Sequence, residues 1–88
     1  MTRKDTPPIP AHLRYLSTDD GAILLNIHKG TMFSMNPTAS SMFESIIEGR
    51  DQQRIVLEIS TTFNVPPDRV ATDLQGLVQD LKLKGLLP

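Results

Sequence analysis

Cysteine and tryptophan are absent from this 88-residue chain, and tyrosine occurs only once. Without cysteine there is no disulfide framework, no thiolate zinc site and no cysteine nucleophile. The longest apolar run is Ala22–Leu25, far short of the ~20 residues that cross a bilayer. No signal-peptide pattern opens the chain, so a cytoplasmic protein without a membrane partner is expected. An excess of one charge is lacking too, with nine Lys and Arg against ten Asp and Glu. Nucleic-acid binders neutralise phosphates with clustered cations, and that footprint is missing.

Catalytic constellations are equally scarce. His12 and His28 are the only histidines, and neither has partners at the spacing a metal site or a general base requires. Both read as turn or surface residues. Asp19–Asp20 precede Gly21 between two strand-like runs and read as a turn rather than a carboxylate pair. The hydroxyls of "TASSM" lie on a capped helix with no base or oxyanion loop nearby. The glycines match neither a dinucleotide fingerprint nor a phosphate loop. No catalytic residue, metal or cofactor is expected.

What is present is one small core. A chain of this length buries roughly 60–65% of its unfolded surface, so its apolar residues must converge. Residues 1–10, "MTRKDTPPIP", carry three prolines and three charges and predict a disordered tail, leaving 11–88 as the domain. The stretch "AHLRYLSTDDGAILLNIHKGTMFSM" then alternates as strands do. Gly-containing turns divide it into three short antiparallel strands, at roughly 12–17, 22–28 and 31–35.

Three helices are predicted next. Asn36 suits an N-cap and Pro37 the first helical position. Ala39, Met42, Phe43, Ile46 and Ile47 then recur on one stripe up to Gly49. "RIVLEISTTF" is ambiguous: Ile55, Leu57, Ile59 and Phe63 fit a strand nearly as well as Ile55, Val56, Ile59 and Phe63 fit a helix. Asp51 as a cap favours helix. A long helix follows from Pro67, with Val70, Leu74, Leu77, Val78 and Leu81 as its stripe, Lys82 and Lys84 suiting its C-terminal end and Gly85 its stop. The fold class is therefore α+β, βββααα, arranged like a winged helix-turn-helix.

In that order, "DGAILLNIHKGTMFSMN", "PTASSMFESIIEG" and "VATDLQGLVQDLKLKGLL" resemble the PqqD-like family, small domains also known as RiPP recognition elements. The resemblance covers Leu13 to Leu87. It implies a non-catalytic domain that binds the leader of a ribosomally made, modified peptide and presents the precursor to a processing enzyme. Members acting in pyrroloquinoline quinone synthesis usually carry Pro-Glu-Gly before the third strand, where this chain has His28–Lys29–Gly30. It resembles more closely the stand-alone members paired with leader peptidases in lasso peptide pathways. A radical-SAM partner, a winged-helix regulator of DNA and a simple docking subunit remain the alternatives.

The resemblance also places a site, in the cleft between the third strand and the third helix. An open strand edge can accept a peptide as a further antiparallel strand. Main-chain groups of Thr31, Met32, Phe33 and Ser34 are expected to receive it, with Met32 also offering a flexible side chain. Asp73, Gly76, Leu77 and Asp80 on the helix are the expected selectivity residues, Gly76 through close backbone approach. An open edge makes either a monomer or a strand-swapped dimer compatible with the sequence.

Overall fold

The computed structural model describes residues 9–87. Residues 1–8 of the expected tail lie outside them; Ile9 packs against the core and Pro10 accepts a hydrogen bond from the Leu13 N–H at 3.0 Å. Three strands, β1 (Leu13–Thr18), β2 (Gly21–Asn26) and β3 (Thr31–Met35), are followed by helices α1 (Pro37–Ile47), α2 (Gln52–Phe63) and α3 (Pro67–Leu83). This is the expected α+β order, βββααα. The strands form an antiparallel sheet in the order β1-β2-β3, so β3 is an edge.

Alternation assigns the faces. Leu13 and Tyr15, Ala22, Leu24 and Asn26, and Phe33 and Met35 turn toward the helices and are buried or half-buried. Cross-strand pairs such as Tyr15–Leu24–Phe33 hold that face in register. Arg14, Leu16, Met32 and Ser34 face the other way and are exposed. β2 stops at Asn26, two residues earlier than the sequence pattern suggested. The buried Asn26 side chain ends it, its Oδ1 accepting from the His28 and Lys29 N–H groups at 3.0 and 3.1 Å.

Each helix starts as its first residues require. Asn36 Oδ1 accepts from the Ala39 N–H, and Pro37 stands in the first turn. Asp51 Oδ1 accepts from the Arg54 N–H at 2.8 Å, which resolves the ambiguous segment as helix. Its burial agrees: Ile55 and Ile59 are buried while Leu57, which a strand would place beside them, is 67% exposed. Val70, Leu74, Leu77 and Leu81 of α3 are buried at 3.6-residue spacing. Gly85, at φ +70°, then reverses the chain so that Leu86 returns to the core and donates to the Leu81 carbonyl at 2.8 Å. Phe43 of α1, fully buried, occupies the middle between sheet and helices.

Candidate functional site

The edge of β3 has a definite polarity. The Ile27 N–H donates to the His12 carbonyl at 2.9 Å, and hydrogen-bonded pairs alternate along an antiparallel ladder. Leu25 and Ile23 therefore bond to β1, whereas Asn26, Leu24 and Ala22 bond to Thr31, Phe33 and Met35. The main-chain N–H and C=O groups of Met32 and Ser34 are the ones that point away from the sheet. Of the four β3 residues the sequence singled out, two present the open backbone. Thr31 and Phe33 contribute side chains to the helix-facing side instead, and the Met32 side chain lies on the opposite face, 64% exposed.

Across from this edge stands α3, running antiparallel to β3. Its end is tied to the start of β3, because Asn26 Nδ2 donates to the Gly85 carbonyl at 3.4 Å. Yet no Cα of α3 comes within 8 Å of a β3 Cα. Among the described residues no strand pairs with this edge of β3, so its outward groups are free to take a further strand at the usual spacing of about 4.8 Å. Toward its far end, Asp73 and Leu77 meet Asn36, Thr38, Ala39 and Met42 around a recess of about 270 Å³.

Asp73, Gly76, Leu77 and Asp80 share one flank of α3 by their spacing. Leu77 is nearly buried and gives the recess an apolar wall; Asp73 gives it a carboxylate, which also pairs with the exposed Arg69 at 3.4 Å. Gly76 and Asp80 are exposed farther along. A methyl built on Gly76 meets nothing within 4 Å, so no part of the described chain makes the close approach that would demand glycine there. One groove residue escaped the sequence reading. Lys84, taken as a complement to the helix dipole, holds its ammonium 5.9 Å from the centroid of the Phe33 ring, within cation–π range. A larger hollow, about 540 Å³, lies on the other flank of α3 above Ile46, Ile55, Leu74 and Val78. No strand residue borders it.

The two histidine rings stack at 5.6 Å between centroids beside the β2–β3 turn. No group of three or more metal-ligating side chains occurs among the described residues, and none of the helices described is long and apolar enough to cross a membrane. Tyr15 lies on the sheet's inner face, against α1, rather than in the groove. Its hydroxyl donates to the Glu44 carboxylate and its ring stacks on Phe43 at 5.4 Å. Burial, then that bond and the carboxylate's charge, pushes the Tyr15 hydroxyl well above the ordinary phenol range.

A three-stranded sheet whose β3 edge pairs with no further strand among the described residues, beside its last helix, defines a small domain suited to accepting a strand. The chain belongs to the family described as coenzyme PQQ synthesis protein D (PqqD), whose model matches residues 21–87. Among solved structures it is similar to TbiB1 in complex with the TbiA(beta) leader peptide, at 28% identity and a TM-score of 0.78, covering 90% of this chain and 92% of that one. It also shares the fold of lasso peptide synthetase B1 complexed with the leader peptide, with 23% identity, a TM-score of 0.80 and coverage of 92% and 96%. A search of curated proteins finds no match.

Proposed function

We propose that this chain is a non-catalytic adaptor that captures the leader of a ribosomally made precursor peptide and delivers the precursor to a separate processing enzyme in the cytoplasm. The observation that carries this reading is the β3 edge, where main-chain groups of Met32 and Ser34 point away from β2 and meet no further strand among the described residues. The likeness to TbiB1, a protein solved with a leader peptide, supports it. The leader adds as a fourth strand antiparallel to β3, taking register from the Met32 and Ser34 backbone. One apolar side chain enters the recess at Leu77 and Met42. Asp73 and Asp80 offer acceptors to basic or N–H groups. Tethering the precursor raises the local concentration of its core at the enzyme, so a leader dissociation constant of roughly 0.1–10 μM suffices. The likeness to lasso peptide synthetase B1 in fold favours a leader peptidase of such a pathway as the enzyme.

The family description favours a second recipient, a radical-SAM enzyme of a quinone cofactor or other peptide pathway. The His28–Lys29–Gly30 turn, in place of Pro-Glu-Gly, weighs against that recipient. DNA regulation is disfavoured because α3 exposes Asp68, Asp73 and Asp80 among its bases.

The test is a titration of the ¹⁵N-labelled domain with the leader of the precursor encoded beside its gene. Amide shifts concentrated at Thr31–Ser34 and Asp73–Asp80, saturating at micromolar concentrations or below, are expected. Unmoved amides there, with shifts produced only by a folded partner protein, would leave a docking subunit in place of a leader adaptor.

A further inference from the structure

The two ends of the groove carry opposite charge. Two lysines stand along the first half of β3. Lys29 Nζ lies so near Gly85 that a methyl there would stand 2.7 Å from it, and Lys84 Nζ lies over the Phe33 ring. Lys84 has the Asp80 carboxylate one turn back on the same helix, yet its ammonium sits above the edge strand instead. Among the described residues neither lysine forms an ion pair. Where β3 ends, the recess carries Asp73, whose carboxylate meets only the exposed Arg69, at 3.4 Å, outside the recess lining. Asp73 and Lys84, which caps the end of α3, are eleven residues apart, about 16 Å along a helix axis. An extended strand covers that distance in about five residues.

We propose that Lys29 and Lys84 form a carboxylate-accepting end of the leader groove, opposite a cation-accepting end at Asp73. The pair of ends selects leader segments in which an acidic residue follows a basic one by about five positions. This rests on the leader-binding reading and deepens it. A strand antiparallel to β3 enters beside Met35 and leaves beside Thr31, so the acidic residue lies on its C-terminal side. The reversed charge order places carboxylate against Asp73 and ammonium against Lys29 and Lys84, both repulsive. The charges thereby set direction and register on an edge whose backbone groups accept any sequence.

A phage-displayed library of random 12-residue peptides, panned on the intact domain, tests this directly. Enriched peptides should carry Asp or Glu about five positions after Lys or Arg. The double variant Lys29→Glu, Lys84→Glu should bind a wild-type-selected peptide about fivefold or more weakly. Panned afresh, it should enrich a basic residue where the wild type enriched an acidic one. Lys82→Glu, on the opposite flank of α3, should change neither result, and circular dichroism confirms that each variant folds. Enriched peptides without this charge order, with the acidic residue on the N-terminal side, or with unchanged affinity for the double variant overturn the inference while leaving leader binding intact. If no peptide is enriched over a blank surface, the leader-binding reading fails and takes this inference with it.

Discussion

Gly21 and Met35 touch backbone to backbone: a methyl built on Gly21 would stand 1.9 Å from the Met35 carbonyl oxygen and 2.9 Å from the Asn36 Cα. The start of β2 therefore lies directly against the junction where β3 runs without a loop into α1. That close passage allows the abrupt change from strand to capped helix at Asn36, and it anchors the open edge at one end. Gly21 also holds φ at +136°, a conformation other residues rarely adopt. Gly21→Ala should cost about 3 kcal/mol, strain and overlap acting together. Gly30→Ala, at φ +70° but with nothing within 4 Å, should cost only about 1–2 kcal/mol. Urea unfolding of the two variants measures the difference; equal losses would mean that the contact at Met35 relaxes freely.

Asn26 joins three parts of the fold through one buried amide: the end of β2, the turn after it and the carbonyl of Gly85 beyond α3. Asn26→Leu conserves volume but strands these partners, which should lower stability by about 2–4 kcal/mol. Asn36→Ala, which removes only a helix cap at an exposed position, should cost about 1 kcal/mol. Denaturant midpoints at unchanged slope decide the ranking. A smaller loss for Asn26→Leu than for Asn36→Ala would show that the Asn26 bonds add little.

These two cases mark where local sequence is informative. The Asn36–Pro37 start and the stripe through Phe43 and Ile46 specify α1 without reference to anything distant, and the turn residues bracket each strand. The three strands follow from the same short-range signals, whereas the use of β3 as an open edge comes from the family resemblance. Asn26 is different, because only the return of the chain at Gly85, 59 residues later, makes a polar residue in an apolar strand favourable. Lys84 is another such case: helix-dipole reasoning explains its place in the chain, but its position over Phe33 arises from the antiparallel crossing of α3 and β3. For Met32, alternation showed which residues lie opposite it on the strand. It did not show which face of the sheet α3 would overlook.

The single tyrosine makes one interaction directly observable. Burial and then Glu44 favour the protonated Tyr15 hydroxyl in the folded state. The native protein therefore holds its proton at pH values where an unfolded phenol, ordinarily near pH 10, begins to lose it. Stability is fully present below about pH 10 and declines as pH rises beyond it, since the folded state binds more protons than the unfolded one. Absorbance at 295 nm should titrate above the ordinary phenol value in the wild type and move back toward it in Glu44→Gln. Tyr15→Phe should flatten the alkaline loss of stability. A wild-type titration at the ordinary phenol value would exclude the Tyr15–Glu44 bond in solution.

Proline separates the role of the β3 edge in folding from its role in binding. Met32 directs its N–H away from β2, so Met32→Pro removes no hydrogen bond of the sheet, and Thr31 before it is already extended as proline demands. Phe33 directs its N–H to Leu24, so Phe33→Pro breaks the ladder and should cost about 3 kcal/mol or more. Met32→Pro should therefore stay folded, with a thermal midpoint within a few degrees of wild type. It should lose leader binding at least about tenfold, because it deletes a donor and sets a ring in the path of the added strand. Leu77→Lys, in a variant that circular dichroism shows to be folded because Leu77 is also a core residue, should weaken binding through the other wall, by placing a charge on the recess's apolar side. The informative outcome is a split between the two walls. Binding that survives Met32→Pro but not Leu77→Lys would place the peptide along α3 without strand addition, and the open edge would then serve some other partner.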